Sequence, residues 1–214
     1  MTNLIIDFDS TIIKNEGLEE LAEITLRNSE NRSEVVKKIE EITNLGMEGN
    51  ISFRESLERR LAMLSITKQE ITALGEKLKK DISKSVMKNK EFFKKNRDSI
   101  YIISGGFKDF ILLVIKDLGI REDHVIANTF VYDEDGRVIG FDEDNPLSNA
   151  KGKVNALKKI DIQGERIAIG DGWTDYEMKE AGIAQKFYAY CENVKREKVC
   201  EVADKVVYSF DEIV

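Results

Sequence analysis

Histidine is almost absent from this chain: His124 is the only one among 214 residues. Zinc sites built on several histidines are therefore excluded, and a histidine base would have a single candidate. That candidate sits in REDHVIANTF, where it opens an apolar run and reads as structural. Cysteine is nearly as scarce. Cys191 and Cys200 are too few for a disulfide framework and read as small, half-buried apolar residues of a protein in a reducing cytoplasm. No stretch approaches the roughly 20 apolar residues of a membrane span. The N-terminus lacks the basic region, apolar run and cleavage site of a signal peptide, so a cytoplasmic protein is expected. Positive charge is not in excess either: the net charge of −7 argues against nucleic acid and anionic membranes as partners. The lysines alternate with glutamates at helical spacing, as in KNKEFFKK, the pattern of a solvated helix face. Catalysis, if present, has to rest on carboxylates, hydroxyls, lysines and a metal.

What is present suits a core with an insertion, since 214 residues are long for one simple domain and short for two. Short apolar runs at 4–8, 100–103, 125–127, 167–169, 186–189 and 205–207 read as strands. Helical patterns separate most of them. FKDFILLVIKDLG, residues 107–119, puts Phe110, Ile111, Val114, Ile115 and Leu118 on one face and ends at Gly119, a natural C-cap. KGKVNALKKI and TDYEMKEAG read as shorter crossover helices. Strands alternating with helices predict an α/β fold, a doubly wound, Rossmann-like parallel sheet. The exception is residues 14–93, helical throughout and free of proline, where GLEELAEIT, SEVVKKIEEITNLGMEG, SFRESLERRLAML and TKQEITALGEKLKK read as about four helices. Ser52 and Thr67 stand at N-cap positions. The expected organisation is a core of residues 1–13 and 94–214 with a helical cap, 14–93, inserted after the first strand. FVYDEDGRVIGF, residues 130–141, carries the Asp135-Gly136 signal of a hairpin.

Ligands of open parallel sheets bind at the carboxyl ends of the strands, and three expected strands end in polar, glycine-containing sequence. These ends are DFDST from Asp7, SGG from Ser104 and GDGWTD from Gly170. Asp7 and Asp9 are two apart, so an extended chain turns both to one side. Carboxylates that close repel unless one takes a proton or a cation lies between them. The further acids Asp171 and Asp175 favour the cation. Few hard oxygen ligands with room for water and phosphate suit Mg2+. Ser104 with the N–H groups of Gly105 and Gly106, at a helix start, makes an anion pocket. Lys151, at the expected helix start in NAKGK, adds a mobile positive charge; Lys153 competes with it by position. The sum is a site for a phosphate dianion beside Mg2+. A carboxylate can attack phosphorus to give an aspartyl phosphate, and its neighbour can give a proton to the leaving alkoxide and later take one from water. Phosphoryl transfer asks for little more than positioning and charge neutralisation.

With DFDST, SGG, a lysine and GDGWTD in this order over nearly the whole chain, the sequence resembles the haloacid dehalogenase superfamily of hydrolases. The resemblance implies Asp7 as nucleophile, Asp9 as acid/base with its backbone carbonyl on Mg2+, and Asp7 and Asp171 as side-chain metal ligands supported by Asp175. Ser104, Gly105 and Lys151 would hold the phosphate, and Thr11 would fix the loop. Within the superfamily the chain is similar to the phosphoserine phosphatases, on Glu16, Met47-Glu48-Gly49, Phe53, Ser56 and Arg60 together with NAKG and SGGF. That likeness implies Glu16 for an α-ammonium, Arg60 for an α-carboxylate, and Met47 and Phe53 as an apolar lid. Thr174 stands where the family usually has Asn, which bears on support of the phosphate, and Trp173 is bulkier than the usual residue.

Singly, the motifs have other readings. SGG is a common strand-to-helix turn, GDGWTD resembles a solvated or calcium-binding loop, Glu16 suits a helix N-terminus, and Arg60 suits a surface ion pair. Together they predict a Mg2+-dependent phosphomonoesterase acting on O-phospho-L-serine through an aspartyl phosphate, in serine biosynthesis, as monomer or homodimer. The alternatives are a phosphatase for another small ester (a sugar, thio-sugar or cofactor phosphate) and a phosphotransferase using the same intermediate.

Overall fold

β1 (Thr2–Ile6) is apolar on both faces, and all of it past Thr2 is buried. In the computed structural model, which describes residues 2–47 and 50–214, with Met47 through its backbone only, this strand lies inside the sheet. The chain then runs through α1 (Gly17–Thr25), α2 (Arg32–Met47), α3 (Phe53–Leu61), α4 (Lys68–Leu78), α5 (Lys84–Lys88) and α6 (Lys90–Lys95). It returns as β2 (Ile100–Phe107), α7 (Lys108–Leu118) and β3 (Val125–Asn128), followed by the hairpin β4 (Phe130–Tyr132) and β5 (Val138–Phe141). The remainder is α8 (Gly152–Leu157), β6 (Glu165–Gly170), α9 (Trp173–Glu180), β7 (Lys186–Tyr190), α10 (Glu197–Val202) and β8 (Lys205–Val207).

Six strands make one parallel sheet in the order β3-β2-β1-β6-β7-β8. The period-two alternation of the strands divides their side chains between two cores. Leu4, Ile6, Ile102 and Ile169 pack with Phe110 and Val114 of α7, whereas Ile5, Ile103 and Ala168 pack with Leu157 of α8 and Met178 of α9. Helices on both faces over a near-continuous apolar sheet are the arrangement expected for a doubly wound fold. Ile6 stands in register with Ile102 on one side and Ile169 on the other. The carboxyl ends of β1, β2 and β6 therefore meet at one point, and their loops share it.

The expected strands all form, with two adjustments. β1 stops at Ile6 because the chain closes at once into a tight turn over Phe8–Ile12, with Ser10 at φ 53. β2 runs on to Phe107, which pairs with Asn128 after a bulge. The helical segment is joined to the sheet by two antiparallel connectors: Lys14 N–H donates to Asp81 O at 3.0 Å and Ser83 N–H to Ile12 O at 2.9 Å. Beyond them α5 and α6 pack on the sheet side, with Phe93 4.7 Å from Phe210 between ring centres. Ser52 caps α3 by accepting from Glu55 N–H at 3.1 Å, and Thr67 and Glu70 form a capping box on α4.

His124 is buried and stacked on Tyr101 at 4.1 Å, with Nδ1 3.0 Å from Ile100 O, a structural role as expected. Cys191 and Cys200 are free, half-buried thiols 3.5 Å apart. Among the described residues no helix is long and apolar enough to cross a membrane.

Candidate active site

Asp7 is the first residue past β1 and is held by its neighbours in the sheet: its N–H donates to Ile169 O at 2.9 Å. Its side chain accepts from Phe8 N–H at 2.8 Å, on Oδ1. The turn that follows brings Asp9 back over the strand end, where Oδ1 accepts from Gly17 N–H at 2.7 Å and Oδ2 from the Ser104 hydroxyl at 3.3 Å. Ser104 in turn accepts from Gly106 N–H at 2.9 Å, so the residues of the expected anion pocket lie together at this strand end, tied to Asp9. Thr11 acts through its backbone carbonyl, which accepts from Ser83 Oγ at 2.7 Å, while its own buried hydroxyl has no partner among the described residues.

Across the sheet, Asp171 and Asp175 follow β6. Asp175 is fully buried and folds back onto its own loop, accepting from Gly172 N–H at 3.1 Å. A Cβ on Gly170 would stand 2.1 Å from the Asp175 carboxylate, so only glycine allows this close approach. Carboxylate oxygens of Asp7, Asp171 and Asp175 lie within 4.8 Å of one another, all buried. Three buried carboxylates at that spacing repel strongly, and a hard divalent cation with oxygen ligands relieves the repulsion. The donor set fits such an ion.

The lysine in contact with these carboxylates is Lys153, whereas the sequence pointed to Lys151. Lys153 Nζ lies 2.8 Å from Asp7 Oδ1 and 2.7 Å from Asp175 Oδ1, with little of its side chain exposed. Lys151 is exposed and carries the left-handed backbone, φ 55, that starts α8. Among the described residues it and Ser10 are the non-glycine residues at positive φ, and both flank the reaction centre, where such backbone tends to gather. A start at Gly152 turns the second lysine of NAKGK inward and the first outward.

The electrostatics follow from burial. Enclosure, with the charges of Glu16 and Asp7 behind it, pushes Asp9 well above the ordinary carboxylate range. Asp171 is pushed up to about 6, by burial first and then by Asp7, against the pull of Arg196. Burial and Asp7 raise Asp175 while the Lys153 ammonium pulls it down. Lys153 stays protonated, because the two carboxylates facing it outweigh its desolvation.

The helical segment contributes Glu16, Phe53 and Arg60. Glu16 accepts from Ser10 Oγ at 2.9 Å and is raised chiefly by burial. Phe53 lies on Gly105, where a Cβ would meet the ring at 2.8 Å. Arg60, 7% exposed, donates to Ser56 O at 3.2 Å and Thr43 Oγ1 at 3.4 Å. Its guanidinium feels Glu16, Glu19 and Asp9, yet burial still lowers it. Thr174 is exposed at the first turn of α9, and Trp173, 46% exposed, packs edge-on against Tyr176. Of the expected lid, Phe53 is placed on the anion pocket, while the Met47 side chain lies outside the described residues, as do Glu48 and Gly49 of the Met47-Glu48-Gly49 motif.

Two residues escaped the sequence reading. Arg196 Nε donates to Asp171 Oδ2 at 3.0 Å. Asn193 Nδ2 donates to Ser10 O at 3.0 Å and Ser83 Oγ at 2.7 Å, pinning the Asp7–Thr11 turn from behind. Their signal was position: they follow β7 at the same carboxyl edge.

The family model of the haloacid dehalogenase-like hydrolases matches residues 4–180. The chloroplastic phosphoserine phosphatase of Arabidopsis thaliana is 30% identical over 97% of this chain and 69% of its own. The phosphoserine phosphatase of Methanocaldococcus jannaschii is 32% identical over 87% of this chain and 85% of its own. A phosphoserine phosphohydrolase-like protein from Francisella tularensis superposes with a TM-score of 0.86 at 38% identity, covering 100% of this chain and 98% of the other.

Proposed function

Because the chain belongs to the haloacid dehalogenase-like hydrolases, in the phosphoserine phosphatase family, we propose that it hydrolyses O-phospho-L-serine to L-serine and inorganic phosphate. It is a phosphoric monoester hydrolase; the substrate, the metal and the covalent intermediate are the proposal, with a place in serine biosynthesis as its consequence.

The observation that carries the substrate is Arg60. A guanidinium has five N–H donors, and this one, almost fully buried, spends two contacts on neutral oxygens. Among the described residues it makes no ion pair. The charges of Glu16, Glu19 and Asp9 reach it, but none of them pairs with it directly; a buried cation left without a direct partner is costly, and a ligand carboxylate relieves it with a charge-assisted hydrogen bond. Glu16, on the same wall, offers the opposite charge to an ammonium. A substrate carrying both groups beside a phosphate is a phosphoamino acid.

The chemistry falls to the strand-end residues. Both contacts to Asp7 are on Oδ1, which leaves Oδ2 to attack phosphorus. As that O–P bond forms, the ester P–O bond breaks, and Asp9 gives its proton to the serine alkoxide. A carboxyl held protonated by its surroundings is suited to this role. Asp9 then takes a proton from the water that attacks the aspartyl phosphate, and phosphate leaves Asp7. Lys153, Ser104 and the glycine N–H groups hold the phosphoryl oxygens. Asp7, Asp171 and the Asp9 carbonyl would hold Mg2+, with Asp175 behind them, and the ion would supply charge neutralisation at the phosphate.

Phosphate release from a panel of phosphoserine, sugar, thio-sugar and cofactor phosphates, with and without Mg2+ and with no acceptor alcohol, tests the reading. Phosphoserine should lead the panel, with Mg2+ required. A sugar or cofactor phosphate in first place assigns another substrate, and release that needs an added alcohol assigns a phosphotransferase. Arg60→Ala should raise KM for phosphoserine on the order of 30- to 100-fold, the worth of a charged hydrogen bond, and leave KM for p-nitrophenyl phosphate nearly unchanged. Equal effects on both would refute the carboxylate clamp.

Metal binding should depend on pH with a definite sign. Asp171 in the folded chain holds its proton up to about 6, above the ordinary 3.8. Its contribution to metal-free stability is therefore present at low pH and lost as pH rises through about 6. Mg2+ must displace that proton below this range and meets an ionised carboxylate above it. At about 100 times its Kd, Mg2+ should add about 2.7 kcal/mol, a thermal shift of several degrees for a chain of this size. The shift should be full at pH 8 and much reduced at pH 5, as thermal melts at the two values would show.

A further inference from the structure

We propose that Arg54 is a positioning residue: it clasps the helical segment to the loop before α8 and so holds Lys153 in register on Asp7. Resting on the reading above, the proposal concerns the lysine's placement whatever the ester.

Arg54 follows Phe53, whose ring lies on Gly105 of the anion pocket. From α3 it reaches across to residues 143–149. Nε donates to Asn149 Oδ1 at 3.1 Å, Nη1 to Glu143 Oε2 at 2.8 Å, and Nη2 to Glu143 O at 2.5 Å and Ser148 Oγ at 3.4 Å. A single exposed ion pair contributes little, and Glu143 is 69% exposed. This contact is different in kind, because a planar fork spans a backbone carbonyl and two further side chains in a fixed orientation. Ser148 is fully buried and donates to Asn145 O at 2.8 Å, so the loop it belongs to is tied back on itself.

That loop presses on the start of α8. A Cβ on Gly152 would lie 2.8 Å from both Leu147 Cα and Pro146 O, leaving no slack between the clasped turn and the helix. The next residue is Lys153, whose ammonium bridges Asp7 and Asp175. The path runs from the cap side, through Arg54 and the 143–149 turn, to the charge beside the nucleophile. A misplacement of about 1 Å at such a centre can cost on the order of 100-fold in rate. Seating of α3 and placement of the lysine are thereby one event.

Arg54→Ala separates this role from substrate recognition. Lys153 acts on the phosphoryl group, so kcat should fall together, by about tenfold or more, for phosphoserine and for p-nitrophenyl phosphate, with the melting temperature held within about 2 °C. Arg54→Lys, which keeps the charge and loses the fork, should recover only part of kcat, and Glu143→Gln should give a smaller loss in the same direction. Unchanged kcat on both esters, an effect confined to KM for phosphoserine, or a loss of kcat matched by a loss of folded protein would overturn the proposal. If phosphoserine itself is not turned over, the substrate reading fails, and the p-nitrophenyl phosphate arm still decides Arg54.

Discussion

Asp7→Asn is expected to abolish phosphatase activity, on the order of 10^4-fold or more in kcat, with the protein still folded and still binding phosphate. The magnitude follows from removing a nucleophile that works as a unit with its acid partner. The substitution is nearly isosteric, and the amide oxygen can still accept from Phe8 N–H. It also removes one charge from a cluster in which Asp7 raises Asp9, Asp171 and Asp175. The melting temperature should therefore hold or rise in the absence of metal. Phosphate release and phosphate-binding calorimetry on the same preparation check both halves. A variant with wild-type turnover would exclude Asp7 as the attacking group.

The second large effect belongs to Lys153. Replacement by Ala leaves Asp7 and Asp175 facing each other with no cation between them. Breaking a buried pair by removing one partner typically costs about 3–5 kcal/mol, softened here by protonation of a carboxylate. Losing a positioned charge at the transferring group costs on the order of 10^2 to 10^3 in kcat. Lys151→Ala removes an exposed side chain and should change kcat by no more than about twofold, in line with ordinary surface substitutions. Measured side by side, the two variants decide which lysine serves the site. A larger loss at Lys151 would return the role to the residue the NAKG motif suggested.

That contrast shows where the sequence was informative. The parallel sheet was legible because its strands are short, apolar on both faces and separated by helical patterns, features set by local composition. Asp7, Asp9, Ser104 and Asp171 were legible because the topology of such a sheet sends every strand end to one edge. Lys153 was not, since two lysines two residues apart differ by about 200° around a helix, and the phase is fixed by the left-handed residue at position 151. Arg196 and Asn193 were hidden in CENVKREKVC, where alternating charge reads as a solvated face. Arg60 and Glu16 stood out through family likeness alone, because their partners come from elements far apart in the chain. The clasp at Arg54 is of the same kind, joining residues 89 to 95 positions apart, and nothing in local spacing announces it.

The central claim, that phosphate passes from phosphoserine through the side chain of Asp7, can be read directly. Acid quenching of the enzyme during turnover of 32P-labelled phosphoserine with Mg2+, followed by borohydride reduction and peptide mass spectrometry, locates any acyl phosphate. The account predicts a labelled, hydroxylamine-sensitive protein with residue 7 recovered as homoserine. Release of phosphate from phosphoserine with no label on the protein, or a label on any other residue, would contradict it.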